Sequence, residues 1–350
     1  MFGFLKKIFK CSSKSKTIQS SNGVKEESKP ITETTSKKEV LDTFDLNKNI
    51  VPEWLEKGKP VPEELEEIHF LAVEAPKLSE SVSEKVGKSL ENRFKVSPSA
   101  INIISVLNDE KSTAAQISEA ASKDINLVNR LLRTVNSAAF ALSSEISSAD
   151  HAIKLLGLNT LRSLAVSSMV KTEKGFSEKQ KRMWVHAAMT SACAQGLSRH
   201  HSGINDGEAA TAGLLANMGA LLLEQEEIKK LSEASGLHPL LIESYGAASF
   251  AKIWELPQVI GKIISHTNIP FFYPMKSIPE EIRRITLLVA FSSFVVSWYG
   301  FAEDSENLIV PSETMLKRIG INVKGKQYWI PADIAFEMEK ARISMESFIN

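Results

Sequence analysis

From about Leu90 onward the chain carries helix start and stop signals at short intervals, and no run of strict apolar–polar alternation bounded by turn dipeptides competes with them. Ser97 before Pro98 is an N-cap followed by a first-turn proline, with Ile101, Ile104 and Leu107 supplying one apolar face. Thr113 and Gln116 have capping-box spacing, and Asp124 caps the run INLVNRLLRTV. Ser147 to Asp150 caps another helix that Gly157 ends, and Asn159 caps TLRSLAVSSMV. Further helices are expected over 178–200, 208–223, 226–235, 239–254, 257–266, 280–299, 313–319 and 332–348. In the last, Pro331 opens the helix, and Ile334, Met338, Ala341 and Phe348 give it an apolar face that docks on the body or on a second copy. The connections are short enough for a compact all-α domain, and no internal repeat persists in spacing and residue type.

With 350 residues, 43% of them apolar, the chain can bury a large core. The 42 basic and 42 acidic residues cancel, so no global field argues for nucleic acid or an acidic substrate. Cys11 and Cys193 give neither a disulfide framework nor zinc spacing, which suits a reducing cytoplasm; Cys193 reads as a small buried residue. Ile285 to Ala302 is uncharged but short and dotted with Thr286, Ser292, Ser293 and Ser297, so it reads as a buried core helix, not a membrane span.

The first 90 residues are organised differently. Residues 1–10 set Phe2, Phe4, Leu5, Ile8 and Phe9 against Lys6, Lys7 and Lys10, a segment suited either to peripheral contact with an anionic membrane surface or to a basic tail. No h-region or cleavage site follows, so the protein is expected in the cytoplasm. Residues 11–44 read as a disordered linker, and 45–90 as an acidic helical extension broken by Pro52, Pro60, Pro62 and Pro76. Its clusters Ile50-Val51-Trp54-Leu55 and Leu65-Ile68-Phe70-Leu71 are expected to pack loosely on the body. The main domain is set at 91–300, with a helical C-terminal extension over 301–350.

The run LLRTVNSAAF followed by EISSADHAIKLLGLNTLRSLAV, between Leu131 and Ala165, resembles the core of the HDOD family. Asn136-Ser137, Ile146, Ala152-Ile153 and Leu156-Gly157 fall in that family's order and spacing. Pro98, Leu107-Asn108 and Asp124 upstream fit too, although Ile125 stands where the family usually has proline. Downstream, Trp184, His186, Ala212-Gly213-Leu214-Leu215, Trp254-Glu255-Leu256-Pro257 and His266 extend the resemblance across about residues 91–300. It implies two packed helical sub-bundles, the second like the HD phosphohydrolases, in which histidines and a His-Asp pair hold divalent metals that generate hydroxide and clamp phosphate.

Matched residue by residue, that metal site is degenerate. His186 stands at the first ligand position, but Ala216-Asn217 replaces the His-Asp pair, and a neutral amide is a weak ligand for a transition metal. Glu243 occupies the region of a further histidine, and His266 survives but is followed by Thr267. Asn136, Ser137, Gly157, Gly213, Trp254 and Pro257 read as structural members of the family pattern, with Asn136 and Ser137 satisfying backbone groups at a helix end. His186 also reads as a core histidine, His266 as a complement to a helix dipole, His200-His201 as solvated, and Arg162 with Lys154 as a solvated basic patch. The resemblance therefore implies no catalytic residues, no metal and no cofactor. It implies a regulatory adaptor in bacterial signal transduction, working through contacts with other signalling proteins or with itself. The alternatives are a nucleotide sensor, for cyclic di-GMP for example, that does not hydrolyse its ligand, and a metal-dependent phosphodiesterase with an unusual site.

Overall fold

The computed structural model describes residues 51–59, 61–65, 70–72, 75, 85–87, 98–140, 142, 144–168, 176–254, 256–301 and 308–349. The expectations for residues 1–10 and 11–44 lie outside these residues, as do parts of that for 45–90. Val51–Asn350 forms one compact unit, and all regular structure among the described residues is helical.

After a single turn, α1 (Glu53–Glu56), the first group is α2 (Pro98–Asn108), α3 (Ala114–Ser122), α4 (Ile125–Val135), α5 (Ala149–Leu156) and α6 (Leu158–Ser168). The central helix α7 (Glu178–Ser198) follows, then α8 (Asp206–Leu215), α9 (Met218–Leu222), α10 (Gln225–Ser235), α11 (Pro239–Ile253), α12 (Gln258–Ser265), α13 (Ile269–Phe272) and α14 (Glu280–Val296). A π-helical turn, Ser297–Phe301, extends α14, and α15 (Glu313–Arg318) and α16 (Ala332–Ile349) close the chain. The α7 helix touches α6, α8, α14 and α16, and its residues from Trp184 to Gln195 are all buried. That explains why its sequence lacks a one-sided apolar stripe: a helix surrounded by others has no polar face to keep. Small residues permit the crowding. A Cβ on Gly213 of α8 would meet the Thr190 carbonyl at 3.0 Å, and one on Gly196 would meet Ile334 of α16 at 3.0 Å.

Local sequence sets most boundaries. Thr113 and Gln116 form the expected capping box, the threonine hydroxyl accepting from the Gln116 N–H at 3.3 Å while Gln116 Oε1 accepts from the Thr113 N–H at 2.8 Å. Asp124 caps α4 by accepting from the Leu127 N–H at 3.0 Å. Gly157, at φ 84°, turns the chain from α5 into α6 with no spare residue. For that reason Asn159 is the second residue of α6 and not its cap. At the start of α5 the N-cap position falls to Ser148, which makes no capping bond, so the expected Ser147–Asp150 box does not form.

Two expected continuous helices are interrupted. The segment 208–223 breaks at Ala216-Asn217 into α8 and α9, because Asn217 leaves helical geometry (φ −103°, ψ 10°) and commits its amide to tertiary partners. The segment 280–299 passes from α14 into the π turn, which contains Gly300 at φ 89°. Glu280–Phe301 is the one helix among the described residues long and apolar enough to cross a membrane, but 72% of its apolar window is buried inside the protein, as expected for a core helix.

The C-terminal extension docks on the body: α16 lies along α7 and also touches α4 and α6, burying Ile334, Met338 and Ala341. The acidic arm behaves in two ways. Leu55 is 1% exposed, Trp54 Nε1 donates to Glu339 Oε2 at 2.7 Å, and Trp298 Nε1 donates to the Lys59 carbonyl at 2.9 Å, so the first cluster is anchored rather than loose. Phe70 and Leu71 remain 44% and 61% exposed.

Candidate functional site

Four residues of α7 at helical spacing, Lys179, Arg182, Met183 and His186, form one stripe running from solvent to the interior. This stripe is one wall of a cleft of about 510 Å³, closed on its other sides by Asn217 and Ala220 around α9, Glu243 of α11, His238, Asn268, Phe271 and Phe272, and by Ser293, Phe294, Ser297 and Phe301.

His186 is only 6% exposed and every polar atom of its ring is engaged. Asn217 Nδ2 donates to His186 Nδ1 at 3.0 Å and to Ser293 Oγ at 3.0 Å, one bond for each amide hydrogen. With Nδ1 accepting, the proton sits on Nε2, which lies 2.9 Å from Ser297 Oγ and donates to it. Burial pushes the imidazole down to about 4, against a smaller opposing effect of a hydrogen bond to the Ser293 backbone. His186 is therefore a neutral, doubly bonded ring. Ser297 stands at the start of the π turn.

Glu243 is held differently. A Cβ on Gly219 would lie 1.8 Å from the Glu243 carbonyl, so only glycine lets α9 approach α11 this closely and set Glu243 opposite Asn217. The carboxyl borders the cleft, and no described residue hydrogen-bonds to it. Desolvation pushes it up to about 7, partly offset by Lys179. Beside it, the His238 and Phe272 rings stack at 4.2 Å with 30° between planes. His238 is the N-cap of α11, its Nδ1 accepting from the Leu240 N–H at 3.3 Å.

The structure thus brings His186, Asn217 and Glu243 to one cleft. Ala216 is buried beside it at 1% exposure, and His266 does not line it. His266 caps α12, with Nδ1 donating to the Lys262 carbonyl at 2.8 Å, a complement to the helix end. Among the described residues no group of three or more His, Cys, Asp or Glu side chains could hold a metal ion. Cys193 is buried, its thiol pushed up to about 12 by desolvation against a hydrogen bond to Ser292, so it carries no reactive thiolate.

The family-pattern residues have structural settings. Asn136 exchanges two hydrogen bonds with the backbone of Ile146, Nδ2 donating to its carbonyl and Oδ1 accepting its N–H, both at 2.8 Å. Ser137 does not share that task, since its buried hydroxyl has no partner. Trp254 is fully buried against Phe250, and Pro257 stands at the start of α12.

Two basic readings are corrected. Arg162 is 0% exposed, not part of a solvated patch: Nη1 donates to Asn159 Oδ1 at 2.9 Å and Nη2 lies 3.4 Å from the Leu107 carbonyl. His201 is half-buried, its Nδ1 accepting from Arg284 at 3.1 Å. Lys179, Arg182, His238 and Asn268 were missed as site residues. The signal for the first two was available, because they stand seven and four residues before His186, on the same face of one helix.

Comparison with known proteins shows what this helical body, with its histidine and broken helix at one cleft, resembles. Residues 95–239 match the HDOD domain family. Solved structures with the same fold include an HDOD domain protein of unknown function from Geobacter sulfurreducens, at 18% identity over 77% of this chain and 97% of that one, with a TM-score of 0.53. A candidate phosphohydrolase from Shewanella amazonensis SB2B superposes at 0.51, with 23% identity over 78% of this chain and 99% of that one. A candidate signal transduction protein from Marinobacter aquaeolei VT8 does so at 0.53, with 15% identity over 77% of this chain and 63% of that one. An uncharacterized protein of Treponema pallidum (strain Nichols) is 28% identical over 194 residues, a match covering 50% of this chain and 36% of that relative.

Proposed function

We propose that the chain is a regulatory module of bacterial signal transduction that does not hydrolyse phosphodiesters and delivers its output through contacts with another signalling protein. The observation that carries this reading is the bonding of Asn217. An HD site needs an imidazole lone pair and a bridging carboxylate turned toward metal. Here the lone pair on His186 Nδ1 is occupied by the Asn217 N–H, and the residue in the carboxylate's place turns its donors, not its oxygen, toward His186 and Ser293. The adjoining Ala216 offers no ligand atom. A cytoplasmic setting goes with this reading.

Elemental metal analysis of the purified chain, together with assays on cyclic di-GMP and a generic phosphodiester with added manganese, tests it. The expected result is no stoichiometric metal and no turnover. Stoichiometric metal with turnover abolished by His186→Ala would overturn it. A sensing role for the same site is favoured by the cleft itself, which remains open at about 510 Å³, within the roughly 300–1,000 Å³ of small-molecule sites.

A further inference from the structure

The first part of the acidic arm converges on one short stretch of the body. Trp54 of α1 sets its indole edge-on against Tyr299 and Phe301, with centroids 5.2 and 5.5 Å away. A Cβ on Gly58 would overlap the Tyr299 ring, so the absence of a side chain there lets the arm lie this close. Lys59 completes the seat, its carbonyl accepting from Trp298 Nε1 at 2.9 Å. Trp298, Tyr299 and Phe301 all belong to the π turn Ser297–Phe301. The same turn also belongs to the cleft: Ser297 Oγ accepts from His186 Nε2 at 2.9 Å, and Phe301 lines the wall. One turn of five residues thus carries contacts to both the arm and the cleft.

A π turn is a rare form found mostly as a single insert, so tertiary contacts have to hold it in place. The body supplies some of them, since the Tyr299 hydroxyl accepts from the Trp329 N–H at 3.2 Å and Trp298 packs edge-on against Trp329. The arm supplies the rest. With four residues, α1 does not persist as a helix by itself and keeps its shape only while seated, with Leu55 buried and Trp54 bonded to Glu339 of α16. Short elements of this kind are the first to open in a folded chain. We propose that residues 53–59 are a releasable strap whose seating is coupled to the cleft through the π turn. With the strap seated, the turn holds Ser297 on His186; with the strap lifted, the turn relaxes and Ser297 leaves the imidazole. An occupant of the cleft that displaces Ser297 or Phe301 lifts the strap in turn, exposing Trp54 and Leu55 at the surface. This coupling requires neither hydrolysis nor its absence, and it gives the regulatory module a route from its cleft to its exterior.

Proton exchange at two side chains, read by NMR on the full chain with labelled histidine and tryptophan, tests this in both directions. Trp54→Ala is expected to speed exchange of the His186 Nε2 proton by about tenfold, the population change that corresponds to losing one ordinary hydrogen bond. Trp54→Phe keeps a ring against the turn and should leave that proton close to the parent, which separates the seating of the arm from its bond to Glu339. Leu71→Ala, in the exposed part of the arm, should leave it unchanged. Coupling between two sites is reciprocal, so Ser297→Ala should speed exchange of the Trp54 indole proton by a similar factor. A merely structural role for Trp54 would lower stability without moving either proton. Unchanged exchange at His186 in a folded Trp54→Ala protein would overturn the proposal, as would unchanged exchange at Trp54 in the Ser297→Ala protein. Should Trp54→Ala fail to fold, the Ser297→Ala measurement decides alone.

Discussion

Two buried polar centres lie on opposite ends of the α7–α8 pair, and they solve opposite problems. At the junction of α2, α6 and α8, Arg162 is sealed from solvent and no carboxylate bonds to it. Its guanidinium instead meets the Asn159 amide oxygen and the Leu107 carbonyl in the last turn of α2, where the helix dipole is negative. Burial pushes it down only to about 10, with Asp206 supporting the charge, so it stays a cation at neutral pH. Neighbouring bonds tie the same helix end to α8: Asn205 Nδ2 donates to the Asn108 carbonyl at 3.1 Å, and Thr211 Oγ1 to Asn108 Oδ1 at 2.7 Å. At the cleft, by contrast, the ring is neutral and the acid borders open space. A sealed centre that keeps its charge holds helices together, whereas a neutral centre next to an empty volume leaves room for an occupant.

The largest expected effect breaks the sealed centre. Arg162→Ala leaves a cavity and two unpaired oxygens among buried helices and should destabilise the fold by about 3–5 kcal/mol. Arg162→Met keeps most of the volume without the charge and should cost clearly less, because a buried charge is itself expensive. Urea unfolding of the two variants measures the difference. Equal losses would mean that the cation, not the packing, carries the junction.

The cleft should reveal itself in pH dependence. His186 falls from 6.5 to about 4 on folding, so between those values the unfolded chain binds a proton that the folded one refuses, and stability decreases as pH drops. Glu243 rises from 4.5 to about 7, so the folded chain holds a proton that the unfolded one has released, and stability increases as pH drops through that window. Each amounts to about 3 kcal/mol, less for Glu243 because it borders the cleft. The two slopes oppose each other between 4.5 and 6.5. Glu243→Gln should therefore expose the histidine and turn a shallow profile into a loss of about 3 kcal/mol on going from pH 6.5 to 4. A variant profile parallel to the parent's would contradict the opposition of these two groups.

A smaller effect is expected from the cleft's backbone. Gly219→Ala places a methyl group 1.8 Å from the Glu243 carbonyl unless α9 and α11 separate. The gain in helix propensity offsets part of the strain, leaving a net loss of about 2 kcal/mol. Urea unfolding measures it, and an unchanged stability would mean that α9 and α11 separate without cost.

How far these centres could be read in the sequence follows the same divide. Caps are local, so the Thr113 box and the Asp124 cap stand where spacing puts them. The resemblance to HDOD sequences led to His186, Asn217 and Glu243, which do share a cleft, and to His266, which instead bonds the carbonyl of Lys262 in its own helix. Arg162 was misread because a charged residue on a helix normally faces water, and its partners come from Asn159, one turn back, and Leu107, 55 residues away. The break at Ala216-Asn217 carries no glycine or proline at the break itself; a tertiary bond to His186, 31 residues upstream, accompanies it. His238 could have been seen as a cap before Pro239, but its stacking on Phe272 joins segments that only the fold brings together.

The smallest effect concerns the arm that reaches the cleft wall from outside. Trp54 packs edge-on against Tyr299 and Phe301 of the π turn, with centroids 5.2 and 5.5 Å away, and donates to Glu339, which Arg342 also holds. Trp54→Phe keeps a ring there but removes the hydrogen bond, and because Arg342 still pairs with Glu339, the loss should be about 1 kcal/mol. Trp54→Ala also takes away the edge contact to Phe301, which lines the cleft. If the π turn fixes the cleft wall, that second variant should speed exchange of the amides of the π turn and the end of α14 while the Arg162 junction, measured by exchange of the amides of α2 and α6, keeps its protection. Loss of protection at both centres together would show that the arm stabilises the body as a whole and that the cleft and the junction are one cooperative unit.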